Sequence, residues 1–117
     1  MADDLQPAFD KLRKAAEGLA DVVEGTSYGT PSLHLRKKFL CRVKDADTVA
    51  VMCALEEKEM LMEADPQLYF ETAHYKGWPV VLVRIHEIPL DQLKARLTRA
   101  WLMQAPKSLI KARQATG

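Results

Sequence analysis

Apolar residues recur at spacings of three and four through the first twenty positions. Leu5, Phe9, Leu12, Ala15, Ala16 and Leu19 form one stripe, while Asp10, Lys11, Arg13, Lys14 and Glu17 fill the opposite face. This predicts an amphipathic helix over 4–20. Asp3 or Asp4 is placed to cap it, and Pro7 is tolerable because it lies in the first turn. After Gly18 and the stretch Asp21–Gly25 the period changes to two, and strands are predicted at Ser32–Arg36, Lys38–Lys44 and Thr48–Cys53. With Asp45-Ala46-Asp47 as a hairpin loop, Val43 faces Val49, Cys41 faces Val51 and Phe39 faces Cys53, all on one apolar face. A slip of one residue would turn Arg42 and Lys44 into that face, so burial selects the first register.

Leu55–Ala64 reads as a second helix, with Glu56, Glu57 and Glu59 near its N-terminus, where the helix dipole favours carboxylates. Met60, Leu61 and Ala64 supply its apolar stripe, and Asp65-Pro66 ends it. A short strand at Leu68–Thr72, a loop over Ala73–Pro79 and a strong strand at Val80–Ile88 follow. The last clear helix is Leu90–Met103, with Leu90, Leu93, Leu97, Ala100 and Trp101 on one stripe; Pro106 closes it, and Lys107–Gln114 adds a turn or two. The order α-β-β-β-α-β-β-α predicts an α+β domain in two layers around one antiparallel sheet. Its 117 residues fit a single domain over 1–117.

Composition narrows the function classes. Hydrophobic content of 48% with 28% charged residues excludes wholesale disorder. No apolar run approaches the roughly 20 residues a membrane helix needs. The acidic opening Met1-Ala2-Asp3-Asp4 lacks signal-peptide order, so a cytoplasmic, membrane-free protein is expected. Cys41 and Cys53 both point into the predicted core, as free cysteines usually do. His34, His74 and His86 lie on separate elements without metal-ligand spacing. Thr26-Ser27-Tyr28 and Glu56-Glu57 have no adjacent base or nucleophile frame, and the glycines build no phosphate loop. The expectation is a protein that is not an enzyme, with no metal and no cofactor.

Two features carry more. Tyr69, Phe70, Tyr75 and Trp78 put four of the eight aromatics within ten residues, beside His74 and Lys76. A ligand- or partner-binding loop using His74, Tyr75 and Trp78 is one reading. In the plainer reading Tyr69, Phe70 and Trp78 plug the sheet edge while Tyr75 and Lys76 reach solvent; it is preferred for the first three, and Tyr75 stays open. The second feature is charge. The net of +1 hides separated blocks: −3 over residues 1–33, +5 over 34–44, −7 over 45–71, +1 over 72–89 and +5 over 90–117. With Leu33, Leu35, Val81, Val83 and Ile85 facing the helices, the other sheet face carries His34, Arg36, Arg42, Lys44, Arg84 and His86. Leu40, Met52, Val80 and Leu82 lie among them. Such a face suits phosphates, an acidic partner or a second copy, or is solvated with its charges paired to Glu56–Glu63.

Several stretches resemble the MmcQ/YjbR family: Val23-Glu24-Gly25-Thr26-Ser27-Tyr28-Gly29-Thr30-Pro31, Lys38-Phe39-Leu40, Glu63-Ala64-Asp65-Pro66, His74 through Val83, and Trp101 with Ala105-Pro106-Lys107. The resemblance implies a secretion-chaperone-like, or double-wing, α+β fold and a non-enzymatic DNA-binding role, with no catalytic residues or cofactor to carry over. One departure is Lys37, where the family pattern has glycine before the strand-starting Lys. Phosphate contacts would then come from the basic hairpin, Arg36, Lys37, Lys38, Arg42 and Lys44, with Lys76, Arg96, Arg99 and Lys107 in support. The alternative is a protein-interaction or small-ligand module, dimeric through the mixed basic and apolar sheet face.

Overall fold

A computed structural model describes residues 4–116. Helix α1 spans Gln6–Ala15. It starts where Asp4 Oδ1 accepts the Gln6 amide at 3.0 Å, with Pro7 in its first turn; Asp3 lies outside the described residues. It stops short of the predicted end at 20, because Gly18 adopts φ +89° and turns the chain. Trp101 Nε1 donates to the Ala20 carbonyl at 2.9 Å and fixes the exit.

Four strands follow: β1 Val22–Ser27, β2 Thr30–Leu35, β3 Lys38–Asp45 and β4 Thr48–Met52. Strand β1 is an addition to the predicted order. It pairs with β2 from Val22 opposite Leu35 to Ser27 opposite Thr30, and as an exposed edge strand it has no alternating apolar pattern to announce it. Next come α2 Leu55–Ala64, β5 Tyr69–Phe70, a 3₁₀ turn Ala73–Tyr75, β6 Val80–Arg84, α3 Leu90–Gln104 and α4 Lys107–Thr116. Strand β6 ends before the predicted Ile88 because the Glu87 and Ile88 amides turn back to the Arg84 carbonyl. Pro106 separates α4 from α3 as a full helix. The six strands form one antiparallel sheet in the order β1-β2-β3-β4-β6-β5. The fold is α+β.

The register of the central hairpin follows the apolar alternation. Val43 faces Val49 and Cys41 faces Val51. Asp45 pairs with Thr48, so the turn is Ala46-Asp47 alone, closed by the Asp47 amide on Asp45 Oδ1. Phe39 departs from expectation. Leu33 pairs with Cys41 but His34 pairs with Phe39, so β3 carries a bulge with Leu40 as its extra residue. Leu40 and Cys41 both enter the helix-side core, while Phe39 moves to the other face. The Cys53 amide bonds the Pro79 carbonyl instead.

Helices α1 and α3 pack on one sheet face over a core that includes Leu12, Leu35, Val43, Val83, Leu97 and Trp101. A second apolar cluster lies on the opposite face: Ala50, Tyr75, Val80 and Leu82, flanked by Phe39 and Phe70. Leu40, Val80 and Leu82 are therefore buried residues, not parts of an exposed apolar surface, because the bulge inverts Leu40 and the segment 71–79 covers the others.

That segment is held by an unexpected residue. The inward side chain of α2 is Lys58, 1% exposed, whereas Met60 of the predicted stripe is exposed. Lys58 Nζ donates to the Tyr75 carbonyl at 2.8 Å and the Trp78 carbonyl at 3.0 Å, and pairs with Glu71 Oε1 at 2.9 Å. Truncating one partner of a buried pair strands the others without a donor. Lys58→Met should cost about 3 kcal/mol in urea unfolding and speed amide exchange over 71–79. A loss below about 1 kcal/mol with unchanged exchange would show that the ammonium does not hold the loop.

A candidate binding cleft on the open sheet face

The two-residue turn Tyr28-Gly29 joins β1 to β2, and both residues adopt left-handed φ, +54° and +78°. Glycine accepts this freely, but an aromatic residue there costs on the order of 1–2 kcal/mol. The strained turn projects Tyr28, 69% exposed, over the sheet, where the Arg42 guanidinium lies 5.1 Å from its ring centre. Across from it the 71–79 segment brings His74, Tyr75 and Trp78. His74 stacks on Trp78 at 5.7 Å and 28°, and meets Tyr75 and Tyr28 edge-on at 4.8 and 6.2 Å. Between these walls lies a cleft of about 390 Å³. His34, Phe39 and Met52 line its floor and Lys37 its rim, and among the described residues no carboxylate lines it.

Arg42 sits at the base of the cleft, held by three neutral acceptors. Its Nε donates to the Ser27 carbonyl and to Thr30 Oγ1, both at 3.3 Å, and its Nη1 donates to the Tyr75 hydroxyl. The preferred reading of the aromatic segment is thus reversed at Trp78, which is 47% exposed, while Tyr75, open in the sequence, is buried on Arg42. The segment 71–79 folds over the sheet rather than along its edge, and that covers one ring and uncovers the other. Tyr69 and Phe70 do sit at the edge strand, with Phe70 under the Arg84 guanidinium at 4.5 Å. Tyr28, Phe39, Met52 and Val80 were not marked as site residues. The aromatic-glycine pair Tyr28-Gly29 was the available signal, but it identifies a hairpin only once β1 is known.

The other predicted site residues separate into groups. Arg36 forms a two-point contact with Asp21, and Lys44 lies 3.7 Å from Asp45; these pairs are exposed and weak. Lys37 and Lys38, at the β2–β3 hairpin, carry no ion pair among the described residues. Arg36, at φ +58°, takes the left-handed position in that turn, so Lys37 replaces the family glycine without strain. Lys76 is exposed in the loop. Arg96 and Arg99 belong to the helix layer, where both bind Glu57, and Lys107 opens α4. The nine basic residues therefore do not form one surface beside the cleft. Nor does the sheet face discharge onto Glu56–Glu63: Glu57 is engaged by α3, and Arg84 and His86 bond the Gln67 and Ala46 carbonyls. Cys41 and Cys53 are free and buried, and burial pushes the Cys41 thiol up to about 12. Among the described residues no His, Cys, Asp and Glu cluster suits a metal ion, and no helix is long and apolar enough to cross a membrane.

A family model described as YjbR matches residues 17–103. The uncharacterized proteins Rv2570 of Mycobacterium tuberculosis and Mb2600 of Mycobacterium bovis are each 46% identical to the chain over 67 residues, which is 56% of this chain and 52% of theirs. The chain spans about half the length of the curated relatives it matches. No solved structure matches it. Three of the stretches that carry the family resemblance meet at the cleft, through Tyr28, Phe39 and Trp78.

Burial alone would raise the Glu57 carboxyl, but the hydrogen bonds and charges of Arg99 and Arg96 outweigh it and hold the group below its usual 4.5. A depressed folded value stabilises the fold above the unfolded value and loses that contribution as pH falls through the folded one. Glu57→Gln should cost about 1–2 kcal/mol at neutral pH. The gap from the parent should shrink as pH falls below 4.5. A pH-independent gap in denaturant melts would refute this assignment.

Proposed function

The chain belongs to the YjbR family, and from that premise and the geometry of the open sheet face we propose that it works by binding, with the aromatic cleft as its ligand site. The observation that carries this reading is the convergence of Tyr28 and Trp78, the latter backed by His74, around a floor that includes Phe39, Met52 and Val80. Exposed rings normally minimise their contact with water; here the turn at Tyr28 is strained and Trp78 is half exposed, in keeping with rings that await a flat partner. The volume lies within the range of small-ligand pockets. Catalysis finds less support. Ser32 Oγ and His34 Nε2 are 2.7 Å apart, yet Ser32 is fully buried and gives no accessible nucleophile.

Phosphate contacts to DNA are a second reading, favoured by the unpaired Lys37 and Lys38 at the hairpin tip and by Lys37 on the cleft rim. On this reading Arg36 and Lys44 would exchange their weak surface partners for phosphates. The helix-layer residues Arg96 and Arg99 would add little, being committed to Glu57.

Trp101 is fully buried and Trp78 is not, so Trp78 reports on the cleft. Adding 2-naphthoate or 2-naphthamide should shift the Trp78 indole NMR signal and leave that of Trp101 in place. Tyr28→Ala should weaken the better binder about tenfold, the equivalent of one stacking contact. If neither compound moves the Trp78 signal at millimolar concentration, and adenosine and adenosine 5′-monophosphate do not either, the cleft is not a ligand site. For the second reading, a short duplex in an anisotropy titration should bind with affinity that falls steeply with salt and is lost in a Lys37→Glu, Lys38→Glu double variant. Absence of binding at low salt would remove it.

A further inference from the structure

We propose that the cleft takes a ligand whose flat ring carries an oxyanion, a carboxylate or a phosphate, and that Arg42 is the residue that anchors that group. The inference rests on the cleft being the ligand site and adds the chemistry of what enters it.

The argument begins with two buried cations. Lys58 and Arg42 are the buried basic residues among those described. Lys58 is neutralised by Glu71. Among the described residues Arg42, 8% exposed, has no carboxylate partner, and each of its acceptors is neutral: a carbonyl, a hydroxyl and a phenol. A buried charge is costly unless it is paired as well as hydrogen-bonded. No described residue supplies this guanidinium with a counter-charge.

The direction from which it can arrive is fixed. Among the described residues Arg42 Nη2 has no hydrogen-bond partner, yet no buried polar side-chain atom is left without one. Nη2 therefore keeps contact with solvent, and Arg42 lines the cleft. Tyr28 occupies the face of the guanidinium, which leaves its edge, where an oxyanion binds best, for the ligand. Lys37 on the rim and His34 on the floor add positive or polar character, and among the described residues no Asp or Glu lines the cleft. Trp78, stacked on His74, offers a flat wall for the ring.

Matched probes separate the charge from the ring. Calorimetric titration of the full chain with 2-naphthoate and its neutral isostere 2-naphthamide should show the carboxylate binding at least tenfold tighter. Adenosine 5′-monophosphate against adenosine asks the same of a phosphate, and the tighter anion identifies the source of the charge. Arg42→Met should bring the anion's affinity down to that of its neutral isostere, and Arg42→Lys should recover it only in part, because an ammonium has no fork. Tyr75→Phe removes a partner of Arg42 while keeping the guanidinium, so it should retain the anion preference even if Arg42→Met fails to fold. Equal affinity for each anion and its isostere on the parent protein overturns the inference and leaves the cleft as a ligand site. So does an anion preference that survives in a folded Arg42→Met. Failure of all four compounds to bind overturns the cleft reading itself.

Discussion

Three oxygens of one segment, the Tyr75 and Trp78 carbonyls and the Glu71 carboxylate, converge on the ammonium of Lys58, and three is the number of donors an ammonium has. The group is thereby satisfied although almost no water reaches it. The rest of the open-face half is arranged around that knot. The backbone hydrogen bonds inside residues 71–79 are local ones, from Tyr75 to Thr72, Lys76 to Ala73 and Trp78 to Tyr75, and by themselves they give a turn with no fixed place on the sheet. Lys58 ties the turn to α2. With the turn in place, Tyr75 covers Leu82 and Val80, its hydroxyl meets Arg42, and Trp78 is set against His74.

The two faces of the sheet solve different problems. The helix-side face is closed by α1, α3 and the partly buried Leu109 and Ile110 of α4, and its polar cost is small because its side chains are nearly all apolar. The other face is covered by a segment that contributes aromatic rings and backbone carbonyls, and it encloses the guanidinium of Arg42. Apolar packing explains the first face entirely. It does not explain the second, where a charge is buried against dipoles and a bulky residue is held in a left-handed turn.

Much of the first face could be read from the chain. Val43, Val49, Cys41 and Val51 fix the hairpin because a slip of one residue would turn Arg42 and Lys44 into the helix-side core, and α2 begins and ends where its carboxylates and Asp65-Pro66 say it should. Leu40 marks where this reasoning stops. Alternation assigns it to the open face, and one extra residue in β3 sends it to the core and Phe39 the other way. A bulge leaves no compositional trace where three consecutive residues, Phe39, Leu40 and Cys41, are all apolar. Strand β1 was missed because an edge strand exposed on both sides shows no period. Lys58 was missed because a lysine among glutamates looks the same whether its ammonium faces water or three oxygens. Trp78 is exposed, and Tyr75 covered, for a related reason: the composition of a loop reveals that rings are gathered, and only the fold decides which ring is covered. The candidate site is built almost wholly from such decisions.

The turn at Tyr28 places two demands on one residue. Chain geometry at that position favours asparagine or glycine, which occupy the left-handed region at little cost; the neighbouring guanidinium favours a ring. These demands cannot both be met by any of the twenty residues. A history of selection for thermal endurance alone would erode tyrosine from the turn, leaving a sounder hairpin beside an emptier cleft. With tyrosine there, the molecule carries a slightly less durable hairpin and a ring set against the Arg42 guanidinium.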